Sequence, residues 1–286
     1  MRVKILITGG NGMLGADVVP ILSEKFETVV PTRSELDVTN RENVIKTIRN
    51  GRFDWVIHLA ALTDLDWCED HVEETISVNA LGTKNIVDAC EIAGCRIAYI
   101  STSGVFSGNK QTHYTEDDMP APINIYALSK YLGELAVSAK NEGKWLILRV
   151  GWLFGGGEKD KKFVGKIFNL MKKADKIEAV ANIWGSPNYS VDVGELIVKF
   201  IEYNAYGLFH VANSGEPASR FDMAVAIKEF LRANVEIQPV GAEKFPTKAK
   251  RPRMEAIKSI RLEELGIKPR HWKDALGDYI KRLMKL

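Results

Sequence analysis

The sequence has few cysteines, almost no excess charge and no long apolar run. Its three cysteines, Cys68, Cys90 and Cys95, form no metal-binding or redox motif, and we interpret them as buried apolar side chains in a reducing compartment. The 39 basic residues nearly balance the 37 acidic ones, so no overall field favours a nucleic acid or a membrane surface as partner. No apolar run approaches a membrane span, and residues 1–6 are too short for a signal peptide. We therefore expect a cytoplasmic protein.

Internal repeats and low-complexity segments are also absent, and apolar runs instead alternate with amphipathic stretches. This alternation predicts an α/β fold with a doubly wound parallel sheet of Rossmann type over residues 1–152. Residues 153–286 predict a smaller, partly interleaved, mixed α/β domain, and we expect residues 190–212 to rejoin the first domain. The loop at 155–162 is predicted to be flexible, as a lid would be. The expected strands of the first domain are 3–7, 28–31, 54–61, 96–100 and 144–150.

A glycine turn joins the first predicted strand to the first predicted helix. Gly9, Gly12 and Gly15 form a G-x-x-G-x-x-G pattern, a variant of the dinucleotide fingerprint in the strand–turn–helix context that the fingerprint requires. The first glycine permits the tight turn, the second lets backbone N–H groups approach a pyrophosphate, and the third allows close packing. Glycine turns also occur for purely conformational reasons, but the position after the first strand favours a nucleotide. Residues 1–152 are therefore predicted to bind a dinucleotide.

The end of the second predicted strand bears on the choice of cofactor. An NAD site usually has an acidic residue here for the ribose 2′-hydroxyl, whereas this sequence has Thr32 and Arg33. A guanidinium at this position can hold a 2′-phosphate, which favours NADP(H). NAD(H) stays an alternative because Glu35 is close by, and Arg33 can also be read as a solvated surface residue.

A tyrosine and a lysine four residues apart carry the chemistry that we expect. Tyr126 and Lys130 lie in a predicted helix after two prolines, so both side chains point to the same face. An ammonium about 4 Å from the phenol would favour the phenolate by roughly 4 kcal/mol, or about three pKa units. A tyrosine with so low a pKa can act as a general acid or base. The alternative is a surface pair that happens to lie one turn apart.

Several residues stand at or near the carboxyl ends of the predicted strands. Thr8, Ala60, Thr102 and Arg149 occupy such positions. Open parallel sheets bind ligands in the crevice at this edge. We therefore expect the glycine turn, Thr102 and the Tyr126 helix to face one crevice.

With these motifs in this order, the chain resembles the extended short-chain dehydrogenase/reductase superfamily and, within it, the dTDP-4-dehydrorhamnose reductase family. The spacing of Thr102 and Phe106 matches the superfamily's S-[ST]-x-x-V-[YF] segment. The resemblance runs essentially from end to end. Further support comes from the segments 33–39, 60–66, 122–126, 149–154 and 251–252, and from Trp272.

The resemblance implies NADPH-dependent reduction of a 4-keto nucleotide sugar, in that family dTDP-4-dehydrorhamnose to dTDP-rhamnose. It implies that Thr102, Tyr126 and Lys130 are catalytic: Thr102 binds the substrate carbonyl, Tyr126 delivers the proton, and Lys130 holds the nicotinamide ribose. Adenine is expected near residues 37–38. The expected cofactor-binding residues are Gly9, Asn11, Gly12, Met13, Leu14, Gly15, Arg33, Asp37, Val38, Leu59, Ala60, Ala61, Thr63, Asn79, Tyr126 and Lys130.

The nucleotide-sugar substrate is expected to contact Ser103, Trp152, Trp184 and Arg251. The basic run at 244–253 could neutralise a diphosphate with forked arginine donors; it could equally be a solvated loop. The two tryptophans could stack on a sugar or base, or belong to the core. No metal site is expected.

Two positions depart from the reductase pattern. The reductases usually have an Asp-Tyr pair where this chain has Ser103 and Gly104, and a serine where it has Glu255. Both departures leave the particular sugar undefined. The first also argues against the sugar-nucleotide 4,6-dehydratases, which need an acid and a glutamate base directly after the threonine.

Two alternatives to the reductase use the same motifs. A sugar-nucleotide 4-epimerase would employ the same three catalytic residues with NAD. A non-catalytic relative, the NADP-binding regulatory subunit of methionine adenosyltransferase, keeps similar motifs and serves a partner enzyme. The oligomeric state is left open, with a homodimer as one option.

Overall fold

A parallel sheet of six strands forms the centre of the N-terminal half in the computed structural model, which describes residues 2–139 and 145–286. The strands are β1 (Lys4–Thr8), β2 (Glu27–Val29), β3 (Trp55–His58), β4 (Arg96–Thr102), β5 (Trp145–Val150), β6 (Trp152–Phe154), β7 (Lys176–Val180), β8 (Trp184–Gly185), β9 (Pro187–Tyr189), β10 (Gly207–Val211), β11 (Ala218–Ser219) and β12 (Glu236–Val240). The helices are α1 (Met13–Lys25), α2 (Arg41–Gly51), α3 (Leu65–Asp70), α4 (Val72–Ile76), α5 (Gly82–Ala93), α6 (Ile125–Ser138), α7 (Phe163–Leu170), α8 (Ser190–Glu202), α9 (Arg220–Leu231) and α10 (Trp272–Leu283).

The strand order across the sheet is β2-β1-β3-β4-β5-β10, and every neighbouring pair is parallel. After β1 the chain passes to one side of that strand for β2 and to its other side for β3. A crevice forms outside the carboxyl ends of strands where the order changes direction in this way. The predicted α/β class with a parallel sheet is confirmed.

Both faces of the sheet are covered, which is why its strands are almost wholly apolar. In β1, Ile5 and Ile7 pack with α1 and α8 on one face, and Leu6 packs with α2, α5 and α6 on the other. This alternation follows from the two-residue period of a strand. The sheet is therefore held rigidly between two helical layers.

Several strand boundaries differ from the sequence prediction, most clearly in the second and third strands. The second strand is Glu27–Val29 rather than 28–31, and the third ends at His58 rather than at 61. After β3 the Leu59 N–H still donates to the Thr8 carbonyl, at 3.0 Å, and the chain then turns away from the sheet. The residues that follow β3 consequently line the crevice. Of the predicted fifth strand, Trp145–Val150 is observed, and Lys144 lies outside the described residues.

The rest of the chain contains short strand pairs and a separate apolar core. Strands β6 and β9 pair in parallel, as do β7 and β12, while β8 and β11 are antiparallel. Helices α7, α9 and α10 pack around this second core. The strand β10 adds to the central sheet beside β5, and α8 packs on α1. We propose on these contacts that residues 190–212 belong with the first domain; the boundary at 152 stays a prediction.

Candidate active site

The glycine turn brings backbone against backbone at the point where the sheet order changes. Gly9 has φ +70°, and a Cβ there would lie 2.5 Å from the Ala60 backbone nitrogen, so no other residue fits. Gly12 is the N-cap of α1 and supplies no side-chain cap, and the first turn of α1 has no acidic residue. The N–H groups of this turn therefore present an anion-binding helix N-terminus to the crevice.

A cavity of about 350 Å³ extends along this edge of the sheet, within the usual size range of ligand pockets. At Gly12 a Cβ would meet only the Gly9 carbonyl oxygen, at 3.3 Å, so the missing side chain keeps the cavity open above the helix N-terminus. An extended dinucleotide fits this donor set. The predicted cofactor residues in its wall are Gly9, Asn11, Gly12, Met13, Leu14, Arg33, Asp37, Val38, Leu59, Ala60, Ala61, Thr63, Tyr126 and Lys130.

Two predicted cofactor residues, Gly15 and Asn79, support this wall without lining it. A Cβ on Gly15 would lie 2.1 Å from the Gly10 carbonyl oxygen, so this glycine lets α1 pack against the turn. Asn79 is buried in a π-helical turn, Ser77–Leu81. Its side chain accepts from the Leu62 N–H at 2.8 Å and donates to the Leu62 carbonyl at 2.9 Å. Asn79 thus fixes the segment after β3, which lines the cavity.

Near the carboxyl end of β2, the cavity wall includes Arg33 and Asp37, and Glu35 lies close by in the sequence. Arg33 is exposed, and its one described ion pair is a 4.0 Å contact with Glu74. Glu35 accepts from the Thr32 N–H at 2.7 Å, which lowers the pKa of its carboxyl. Asp37 accepts from the Thr39 N–H at 2.9 Å, which lowers its pKa too. The nearby acids are engaged with their own turns, and Arg33 is available for a 2′-phosphate.

The start of α6 sets the position of Tyr126. The Asn124 side chain caps the helix by accepting from the Ala127 N–H at 2.8 Å, so Tyr126 falls in the first turn. The Asn124 amide also donates to the Lys250 carbonyl at 3.0 Å, which joins this helix to the C-terminal half. Farther along, Glu134 receives two hydrogen bonds from Arg149 of β5, at 2.9 and 2.7 Å. These contacts hold α6 against the sheet edge.

The same edge of the sheet brings together three residues that the sequence predicted to converge: Thr102, Tyr126 and Lys130. The Thr102 hydroxyl lies within hydrogen-bonding reach of the Tyr126 phenol and accepts from the Gly104 N–H at 3.1 Å. Lys130 is buried, and its Nζ lies 4.0 Å from the ring centroid of Tyr99. Tyr126 and Lys130 both line the cavity that contains the glycine turn.

The expected lowering of the Tyr126 pKa is wrong for this structure. Burial raises the pKa of the Tyr126 phenol to about 12, although the Thr102 hydroxyl opposes the rise. Burial also lowers the pKa of Lys130 to about 7. The Lys130 Nζ lies over the ring of Tyr99, and burial is the largest influence on the pKa of the Tyr126 phenol. Tyr126 is accordingly held as a neutral proton donor.

A second cavity, of about 520 Å³, opens on the C-terminal side of these residues. Trp152 and Arg251 line it, whereas Trp184 lines a neighbouring cavity of about 720 Å³. Arg251 donates to Asp66 at 3.0 Å, and its buried Nη1 has no hydrogen-bond partner among the described residues. Ser103 is 1% exposed and lines neither cavity. Three of the four predicted substrate residues thus line two adjoining cavities.

Sequence reasoning missed Arg220 as a site residue and noted Glu255 only as a departure. The Arg220 guanidinium stacks 3.8 Å from the Trp152 ring centroid and 5.0 Å from that of Phe163. Burial lowers the pKa of Arg220 to about 10 and raises the pKa of Glu255. Both line the second cavity. No local motif marks Arg220, because its neighbours come from distant parts of the chain.

The loop at 155–162 closes one side of the cofactor cavity. The Gly156 N–H donates to Asp17 at 2.6 Å, and Lys159 donates to the Asn11 carbonyl at 2.9 Å. Lys162, another residue that the sequence did not suggest, lines the cavity. The loop therefore touches the glycine turn directly; its movement as a lid stays a prediction.

The glycine turn shares its cavity with Tyr126 and Lys130, and the Thr102 hydroxyl lies within hydrogen-bonding reach of Tyr126. These features define a Rossmann-type oxidoreductase of the short-chain dehydrogenase/reductase class. Residues 3–285 match the model of the RmlD substrate binding domain family. The chain is 35% identical to a dTDP-4-dehydrorhamnose reductase of Mycolicibacterium smegmatis, over 98% of this chain and 86% of that protein. It belongs to this reductase family.

Solved structures agree with this assignment. The crystal structure of a dTDP-4-dehydrorhamnose reductase from Yersinia enterocolitica has a TM-score of 0.93 and 38% identity, over 99% of this chain and all of that one. The corresponding enzyme from Bacillus anthracis, in complex with NADP, has a TM-score of 0.94 and 33% identity over the same shares. Within the described ranges, 2–139 and 145–286, no helix is long and apolar enough to cross a membrane.

Proposed function

We propose that this protein reduces dTDP-4-dehydrorhamnose to dTDP-rhamnose with NADPH. The observation that carries the proposal is that Tyr126 and Lys130 lie in the wall of the same cavity as the glycine turn. The names of the relatives support the substrate, and the NADP in a reductase of the same fold supports the cofactor.

Bound NADPH would supply the hydride to the substrate carbonyl carbon. The Thr102 hydroxyl and the Tyr126 phenol would both donate hydrogen bonds to the carbonyl oxygen, where negative charge develops. Tyr126 would then transfer its phenolic proton to that oxygen and yield the alcohol. A pKa of about 12 suits this direction, because the phenol keeps its proton at neutral pH and an alkoxide is a far stronger base than a phenolate.

Lys130 would position the cofactor and the tyrosine. Its ammonium reaches the cavity from the same face of α6 as Tyr126 and can donate to the ribose hydroxyls. The pKa of Lys130 is about 7 without a ligand. A polar ligand that accepts a hydrogen bond from the ammonium would raise this pKa and keep the lysine charged.

The diphosphate of the substrate would bind in the second cavity. Arg220 is supported there by Trp152 and Phe163 and has no carboxylate within 4 Å among the described residues. A guanidinium fixed by stacking is well suited to a phosphate. Arg251 adds a second guanidinium to the same wall.

We also propose a homodimer that works in the cytoplasm. A stripe of half-exposed leucines on α6, formed by Leu128, Leu132 and Leu135, supports a second copy as partner. Sedimentation of the protein and of Leu132→Glu would test the dimer; a monomeric parent protein would contradict it.

The cytoplasmic location rests on the sequence features and the proposed reaction, and cell fractionation would test it.

The reaction is tested with a panel of 4-keto nucleotide sugars, each with NADPH and NADH, followed at the nicotinamide absorbance. We expect NADPH oxidation with dTDP-4-dehydrorhamnose and formation of dTDP-rhamnose. Tightly retained NAD with no net oxidation would instead indicate the epimerase. NADP binding without turnover of any sugar would indicate the regulatory subunit.

A further inference from the structure

The carboxyl group of Glu255 lies beside the proposed reaction centre although its backbone belongs to the C-terminal half. The Glu255 N–H donates to the Trp184 carbonyl at 2.9 Å, which anchors the segment to β8. Its Oε2 atom lies 3.4 Å from the Ser103 hydroxyl oxygen, on the turn that follows β4. The side chain therefore reaches from one half of the molecule to the catalytic wall of the other.

Gly104 leaves the space that this carboxyl faces. A Cβ built at Gly104 would lie 3.3 Å from the Thr102 hydroxyl oxygen and 3.7 Å from Glu255 Oε2. These two oxygens thus border one small volume with no side chain of residue 104 between them. A sugar whose carbonyl binds Thr102 would bring the next ring substituent toward Glu255.

The Glu255 carboxylate has acceptor capacity that the protein leaves unused. Its described hydrogen-bond donors are the Ser103 hydroxyl and the Trp152 indole, whereas a carboxylate offers about four acceptor positions. No described lysine or arginine lies within 4 Å of it, although Arg220 and Arg251 act at longer range. A half-buried carboxylate on a cavity wall is costly unless a ligand donates to it.

We propose that Glu255 accepts a hydrogen bond from the sugar hydroxyl adjacent to the reacting carbonyl. This inference rests on the proposed function. In a 4-keto-6-deoxy sugar, C5 carries the methyl group, so the adjacent hydroxyl is the one on C3. Glu255 therefore selects substrates that carry a C3 hydroxyl.

The test compares two substrates and two enzymes at saturating NADPH. The substrates are dTDP-4-dehydrorhamnose and its 3-deoxy analogue, and the enzymes are the parent protein and Glu255→Ala. We expect loss of the hydroxyl to lower kcat/KM of the parent about 10- to 100-fold, as for a hydrogen bond to a charged group. In Glu255→Ala, loss of the C3 hydroxyl should lower kcat/KM less than about threefold, because no carboxylate is left without its hydrogen-bond partner.

Equal discrimination by both enzymes would overturn the proposal while leaving the reductase function intact. If the parent protein reduces neither substrate, the proposed function itself fails and the inference falls with it. If Glu255→Ala folds poorly, Glu255→Gln replaces it, because the neutral amide keeps the shape of the side chain. We expect Glu255→Gln to discriminate between the two substrates less than the parent protein and more than Glu255→Ala. Discrimination equal to that of the parent protein would contradict the role of Glu255. Glu264→Ala removes an exposed carboxylate elsewhere and should retain the full 3-hydroxyl preference.

Discussion

The two sides of the catalytic crevice are built in different ways. The cofactor side comes largely from short segments that follow β1, β2 and β3, with Gly9 and Ala60 in backbone contact. The substrate side combines Trp152, Arg220 and Glu255, which are far apart in the sequence. The first is a local motif on a rigid sheet, whereas the second exists only once both halves are folded.

The two sides also differ in how they manage charge. The cofactor side relies on helix N–H groups and on carboxylates, such as Asp37, that are bonded within their own turns. The substrate side holds Arg220 and Glu255 with shifted pKa values and no mutual ion pair within 4 Å. Mutations on the cofactor side should therefore alter the binding of NADPH, and mutations on the substrate side should alter the binding of the nucleotide sugar.

The largest expected effect belongs to Tyr126, where the two sides meet. Tyr126→Phe should lower kcat by about 10²- to 10⁴-fold, because the proton donor is lost. NADPH affinity, measured by fluorescence titration, should change little. Tyr206→Phe, at a tyrosine that is 68% exposed, is the matched control. Full turnover in Tyr126→Phe would remove the tyrosine from the mechanism.

A change at Arg220 should affect the substrate side alone. Arg220→Met keeps much of the packing on Trp152 but removes the charge, and we expect KM for the nucleotide sugar to rise about 10- to 100-fold. The KM for NADPH should stay within about twofold, and Lys273→Met should alter neither value. A selective rise in the NADPH KM would show that Arg220 serves the other ligand.

Arg33 offers the reciprocal test on the cofactor side. Arg33→Ala should raise KM for NADPH about tenfold by removing the cation for the 2′-phosphate, with KM for NADH unchanged. Arg49→Ala, at an exposed arginine on α2, controls for loss of one positive charge. Equal effects on both cofactors would contradict a 2′-phosphate role.

The smallest expected effect is a change in thermal stability. The pKa of Lys130 falls from 10.5 to about 7 on folding, so burying its ammonium destabilises the ligand-free protein fully below pH 7. Between pH 7 and 10.5 the unfolded chain binds more protons, and stability rises with pH. Lys130→Met should therefore raise Tm by several degrees at pH 6 and by less at pH 10, as calorimetry can measure. A lower Tm at pH 6 would contradict this account of burial.

The sequence was sufficient for the central sheet and for most of the cofactor wall, because both follow from local patterns. The G-x-x-G-x-x-G turn needs only neighbouring residues to define its shape. Tyr126 and Lys130 were placed on one helix face correctly, yet the Tyr126 pKa moved upward. The spacing of i and i+4 does not reveal that Lys130 Nζ lies over the Tyr99 ring.

The substrate side was harder to predict for a physical reason. Glu255 gains its role from the empty space at Gly104, which lies 151 positions earlier in the chain. Arg220 gains its orientation from aromatic rings on β6 and α7. Neither relation leaves a periodic pattern or a motif, because tertiary packing alone brings these residues together.

The most direct test is a crystal structure of the protein with NADPH. We predict the pyrophosphate at the N-terminus of α1, with the nicotinamide ribose within hydrogen-bonding distance of Lys130 Nζ and the nicotinamide beside Tyr126. Binding of the dinucleotide elsewhere, or with its nicotinamide away from Tyr126 and Thr102, would contradict the account.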